Sequence, residues 1–112
     1  MTEKTEAFAL FDTFPLKLVD GSGKQVETKF RTLSTVEMYK FIALGEQIAK
    51  AQEAGEVVTP EEQMEPYAYL FRTTISDEKV VQMLLDCSVK TMRKVAILIQ
   101  KKSTLDEDEA KN

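Results

Sequence analysis

Between residues 14 and 30, apolar and polar positions alternate on either side of a glycine-rich turn. Phe14, Leu16 and Leu18 alternate with Pro15, Lys17 and Val19. On the return, Val26, Thr28 and Phe30 alternate with Gln25, Glu27 and Lys29. Period two interrupted by glycines predicts an antiparallel hairpin. The apolar faces coincide only if Leu18 lies opposite Val26, Leu16 opposite Thr28 and Phe14 opposite Phe30. That register leaves Gly21, Ser22 and Gly23 as a three-residue loop, with Gly23 in the left-handed conformation of a bulge. It also sets Lys17 across from Glu27 on the exposed face. Pro15 cannot donate to a ladder, so the first strand is expected at a sheet edge. A lone hairpin is marginally stable in water, so its apolar face must meet helices.

After residue 33 the period lengthens to that of a helix. Ser34 is an N-cap and Glu37, three residues on, completes a capping box. Met38, Phe41, Ile42, Ile48 and Ala49 follow at helical spacing, with Gly45 in the same stripe, and Gly55 supplies a stop. The spacing predicts a helix over 35–54. In "TPEEQ", Thr59 caps a second helix, Pro60 takes its first position and Glu62 closes the box. Pro66 is expected to leave this helix short or bent, while Tyr67, Leu70 and Phe71 give it an apolar side. Ser76 is expected to cap a third segment whose first turn is acidic (Asp77, Glu78). Along it Val81, Leu84, Ser88, Met92, Val95 and Leu98 continue one face, as one long helix or as two with a break near Ser88. The expected fold class is α+β: an N-terminal β-hairpin followed by a mostly α-helical bundle of three to four helices.

Size and charge narrow the picture. At 112 residues the chain fits one domain with a modest core. Residues 1–10 are expected to form a flexible N-terminus, 11–102 a single α+β domain, and 103–112 a disordered acidic tail. The net charge of −4 argues against a dedicated nucleic-acid binder. No run reaches the length of a membrane span, and the start "MTEKTEAFAL" lacks the basic region of a secretory signal. Charge is uneven, however: "KTMRKVAILIQKK" is strongly basic, and "STLDEDEAKN" carries four consecutive acids. Lys101 and Lys102 fit a last helical turn, where cations complement the macrodipole. The step from basic to acidic reads either as a helix end with a solubilising tail or as a tail shielding a basic partner-binding surface. Cys87 is the only cysteine, so no internal disulfide forms. Within "VVQMLLDCSVK" it reads as a buried small hydrophobe in a reducing cytoplasm.

Candidate chemistry is sparse. Without histidine, Ser-His and Cys-His nucleophile systems and the commonest metal sites are excluded. Glu61, Glu62 and Glu65 sit at a helix start, where dipole and capping roles account for them. "DGSG" precedes a strand rather than a helix, which removes a phosphate-loop reading. Asp106 to Glu109 lack the spacing and glycine of a calcium loop. Met38, Met83 and Met92 fall on apolar helical faces, as core packing or as the lining of an adaptable groove. The chain is therefore expected not to be an enzyme, with no catalytic residue, no cofactor and no metal.

The layout "PLKLVDGSGKQVETKFRTLS", then the acid-capped "TVEMYKF" and an all-helical remainder, resembles the tail assembly chaperones of long-tailed bacteriophages over residues 12–102. The resemblance implies a small non-structural viral protein of the host cytoplasm. Such a protein binds the hydrophobic, helical tape measure protein, keeps it soluble and helps tail tube protein subunits polymerise around it. The family has no catalytic residue to carry over. In such systems a longer product often arises by ribosomal frameshift near the end of the shorter gene, and the short acidic end here is similar to that shorter product.

The apolar pattern fits a binding role. Met83, Leu84, Leu85, Met92, Val95, Ile97, Leu98 and Ile99 make the final segment apolar on more than one side. One stripe packs a helix onto a small core; a second calls for a client or another copy, so a homo-oligomer is expected, with neither nucleic acid nor membrane as partner. The alternative is a small DNA-associated or regulatory adaptor using Lys90, Arg93, Lys94, Lys101 and Lys102 of a basic C-terminal helix.

Overall fold

The computed structural model describes residues 5–104. Two strands, β1 (Thr13–Val19) and β2 (Gln25–Arg31), precede four helices, α1 (Thr35–Glu53), α2 (Pro60–Thr74), α3 (Glu78–Asp86) and α4 (Val89–Lys102). The fold is α+β, as the patterning requires. The strands pair antiparallel with Phe14 opposite Phe30, Leu16 opposite Thr28 and Leu18 opposite Val26, the register set by coincident apolar faces. At the turn, the Asp20 amide donates to the Lys24 carbonyl (2.9 Å) and the Gly23 amide to the Asp20 carbonyl (3.0 Å). Gly23 takes φ +85°, the left-handed bulge position. Asp20 Oδ1 accepts from the Ser22 hydroxyl (2.6 Å) and from the amides of Ser22 and Lys24 (both 2.9 Å). These bonds, the hydroxyl first, hold its carboxyl below the usual range.

Both capping boxes form. Ser34 Oγ accepts from the Glu37 amide (3.1 Å) while Glu37 Oε1 accepts from the Ser34 amide (2.9 Å), and Gly55 follows the helix end at φ +78°. Thr59 and Glu62 repeat the arrangement at α2. That helix is not short: it runs fifteen residues through Pro66. The proline removes one backbone donor, leaving the Glu62 carbonyl without its helical partner, and is itself buried. The cap of α3 is Asp77, not Ser76; its carboxylate accepts from the Lys79 amide (3.0 Å). The remaining helical stretch is two helices. It breaks at Cys87 and restarts at Ser88, whose Oγ accepts from the Thr91 amide (3.2 Å).

The core joins Leu16, Phe30 and Leu33 of the hairpin region to Leu70, Phe71 and Ile75 around the end of α2. Val80, Val81 and Leu84 of α3 and Met92, Val95, Ala96 and Ile99 of α4 complete it. Phe14 and Phe30 stack as a tilted pair, with ring centres 5.7 Å apart. Ser103, which its charge neighbourhood assigns to the tail, belongs to the body. Its Oγ accepts from the Leu33 amide (2.9 Å) and donates to the Ile99 carbonyl (2.7 Å), tying the end of α4 to the start of the helical region. The acidic run from Asp106 to Glu109 and residues 1–4 lie outside the described residues.

One helix lies at the edge of this core, touching it through the half-buried Met38 and Phe41. None of the nineteen residues of α1 is buried, and its packing neighbour is α2. The body is elongated, 65 × 40 × 23 Å.

Candidate functional site

The eight candidate partner-binding residues of the final segment divide into two groups. Leu84, Met92, Val95 and Ile99 are core residues, and in this folded form they meet other parts of the same chain. Met83, Leu85 and Leu98 are half-buried, and Ile97 is 50% exposed. The division follows the faces of two separate helices. A single face through 84, 88, 92, 95 and 98 requires an unbroken helix, but the cap at Ser88 restarts the helix and leaves Ser88 exposed. Within α4, Met92, Val95, Ala96 and Ile99 recur at helical spacing and face inward, which turns Ile97 outward.

A larger apolar surface lies on α1. Val36 (76% exposed), Tyr39 (68%) and Ile42 project on its outer side, while Met38, Phe41, Leu44 and Ile48 are only half-covered. The predicted stripe thus exists, but it only borders the core, against which Met38 and Phe41 pack half-buried. Beneath it opens a cleft of about 280 Å³ between Phe41, Gly45 and Ile48 of α1, Pro66 and Tyr67 of α2, and Arg93 of α4.

Charge arranges this surface. At the root of α1, Arg31 Nη1 and Nη2 donate to the two carboxylate oxygens of Glu37, both at 2.8 Å. Arg31 also donates to the Thr32 carbonyl (3.0 Å) and lies over the Phe11 ring at 4.6 Å. Hydrogen bonds from Arg31, against some desolvation, hold the Glu37 carboxyl down at about 2, and Glu37 raises the Arg31 guanidinium in return. The pair straps the hairpin to α1. Sequence reasoning gave Glu37 only its capping role; the available signal was a basic strand end closely preceding the box.

The outer side of α4 is basic. Lys90, Arg93, Lys94, Lys101 and Lys102 share a helix with no acidic residue. Among the described residues the ion pairs are Lys17–Glu27, Arg31–Glu37 and Arg72–Glu78, none drawn from α4. Lys102 Nζ sits over the Phe14 ring at 4.9 Å.

Cys87 departs from expectation. It is exposed, not a buried hydrophobe, because it occupies the α3–α4 break, where its thiol donates to the Leu84 carbonyl (3.2 Å). Desolvation on its inner side pushes the thiol up, with the Asp86 carboxylate acting in the same direction. Such a group is a poor nucleophile. Among the described residues no group of three or more His, Cys, Asp or Glu side chains is placed to hold a metal. No helix among them is long and apolar enough to cross a membrane. Comparison with protein-family models, with curated proteins and with solved structures gave no match.

Proposed function

We propose that this chain is a tail assembly chaperone of a long-tailed bacteriophage, which binds the tape measure protein in the host cytoplasm, keeps it soluble and promotes tail tube assembly. The observation that carries the reading is α1: ten of its nineteen residues are apolar and none is buried. A helix so composed, at the edge of the core, offers apolar area to a helical client at little rearrangement cost. Ile97 and Val89 extend the exposed apolar set onto α4. The role needs no catalytic group and no cofactor, and self-association covers the same surface when no client is present.

The test is co-expression with the tape measure protein of the same genome. The wild-type chain should raise the soluble fraction of that client, and Val36→Asp together with Ile97→Asp should lower it while leaving the chaperone folded. A client equally soluble with and without the chain overturns the reading. The basic face of α4 favours a second reading, a DNA-associated or regulatory adaptor. A salt titration separates the two, because phosphate contacts weaken steeply with salt while apolar client binding does not.

A further inference from the structure

We propose that the outer edge of β2 pairs with β2 of a second copy about a two-fold axis at Thr28, joining two hairpins into one four-stranded antiparallel sheet. The hydrogen bonds of the hairpin fix which backbone groups are free. The Thr32 amide donates to the Asp12 carbonyl and the Asp20 amide to the Lys24 carbonyl, both at 2.9 Å. Bonded pairs alternate along an antiparallel ladder, so the even-numbered residues between these two pairs bond across the hairpin. The odd-numbered ones turn their amides and carbonyls outward, at Thr13, Pro15, Lys17 and Val19 on β1 and at Gln25, Glu27, Lys29 and Arg31 on β2. Among the described residues the sheet has two strands, so both outer edges are open. They are not alike. Pro15 stands at an outward position of β1 and takes a donor out of the middle of that edge. β2 has no proline, and no other segment among the described residues bonds to its outward groups.

The side chains of β2 select the strand that fits there. Thr28 is the middle residue of β2, and a two-fold axis at Thr28 sets Glu27 opposite Lys29 of the second copy and Lys29 opposite its Glu27. These are outward residues in both copies, so their backbone groups meet in register. The solvent face gains two opposite-charge pairs. Lys29 has no ion pair among the described residues, because Pro15 lies across from it, whereas Glu27 already has Lys17 at 3.8 Å. At the ends Gln25 faces Arg31, whose guanidinium Glu37 holds. On the inner face Val26 meets Phe30 of the second copy and Thr28 meets its counterpart, cross-strand pairs of kinds that stabilise sheets. Moving the axis to a neighbouring residue sets Glu27 against Glu27 or Lys29 against Lys29 and shortens the overlap. Charges on an edge strand ordinarily discourage pairing; here their order accepts the strand's own copy. The contact is isologous and closes at two subunits. It uses neither α1 nor Ile97, so it is independent of the chaperone reading and of the apolar surface assigned to the client.

The experiment follows amide hydrogen exchange and sedimentation equilibrium of the full chain with no client present. As concentration rises, the outward amides of Glu27 and Lys29 should become protected, while those of Lys17 and Val19 on the β1 edge should not. Lys29→Pro copies the device of β1, removing an outward donor and no bond of the hairpin. It should keep Tm near wild type and need about tenfold more protein for the same protection at Glu27. Two charge variants test the register whether or not that proline is tolerated. Glu27→Lys sets lysine against Lys29 twice over, and Lys29→Glu sets glutamate against Glu27 twice over. Each alone should associate about tenfold more weakly than wild type. An equimolar mixture of the two should regain wild-type affinity, because both cross-copy pairs are then opposite in charge. A wild-type chain with no concentration-dependent protection on β2 at about 1 mM, the weak end of useful affinities, would overturn the proposal. So would association unchanged in all three variants, which would place the contact elsewhere on the molecule. A mixture no tighter than its components, or equal protection of the β1 and β2 edges, would overturn it as well.

Discussion

Replacing Glu37 by glutamine tests whether the strap between hairpin and α1 stabilises the fold. The carboxyl has an ordinary value of 4.5 and is held at about 2 in the folded chain. Because the folded value is depressed, the stabilisation is complete above pH 4.5 and drains away as pH falls toward 2. At about 1.4 kcal/mol for each tenfold change in proton affinity, the ceiling is roughly 3 kcal/mol. Water still reaches the pair, since the two side chains are 33% and 24% exposed, so screening reduces this to about 1.5–2 kcal/mol. Urea unfolding of wild type and Glu37→Gln should show a gap of that size at pH 7, shrinking to less than about 1 kcal/mol at pH 3, with unchanged m-values. A gap that does not change with pH would mean the loss comes from the cap rather than the charge pair. No gap at pH 7 would refute the strap altogether.

Other substitutions probe the core and its edges. Phe30→Ala, removing a buried ring stacked on Phe14, should cost about 3–5 kcal/mol in thermal or urea unfolding, and a near-wild-type melt would mean the shared apolar face is not what holds the hairpin. Ile99→Asp should unfold the domain by circular dichroism, whereas Ile97→Asp should keep the fold and shift any oligomer seen by light scattering toward monomer; matching behaviour of the two would contradict their different burial. Ser103→Ala leaves the Leu33 amide without its acceptor and should cost about 1–2 kcal/mol, with faster hydrogen exchange at that amide; unchanged exchange would show the bond is not formed in solution.

The hairpin and the first two helix starts were legible because each is specified by neighbours in sequence. Alternation plus Gly23 fixes a register, and Ser34–Glu37 and Thr59–Glu62 close rings of four residues. The end of α2 was harder to read, since whether a proline stops a helix depends on what packs around it, and Pro66 is buried within the fold. At α3, Ser76 and Asp77 are both good caps, and backbone geometry chose Asp77. At Ser88 the box is half-made, with threonine at the closing position, so the pattern alone left one helix or two. Within α4, Ile97 and Ile99 are two residues apart and so lie on nearly opposite faces, Ile99 in the core and Ile97 outside, which apolar content alone does not distinguish. The exposure of α1 was invisible for a different reason. An amphipathic stripe states that a face wants a partner, without stating whether the same chain supplies it.

The elongated shape also governs how the chain moves through water. Its radius of gyration is 17.0 Å, against roughly 13 Å for a compact domain of about this length. A body so drawn out meets more friction than a sphere of equal mass and tumbles at different rates about its different axes. On a sizing column the monomer should therefore elute ahead of globular standards of 12.7 kDa. Elution volume thus mixes drag with mass for this molecule, whereas sedimentation equilibrium, which is blind to drag, counts the copies.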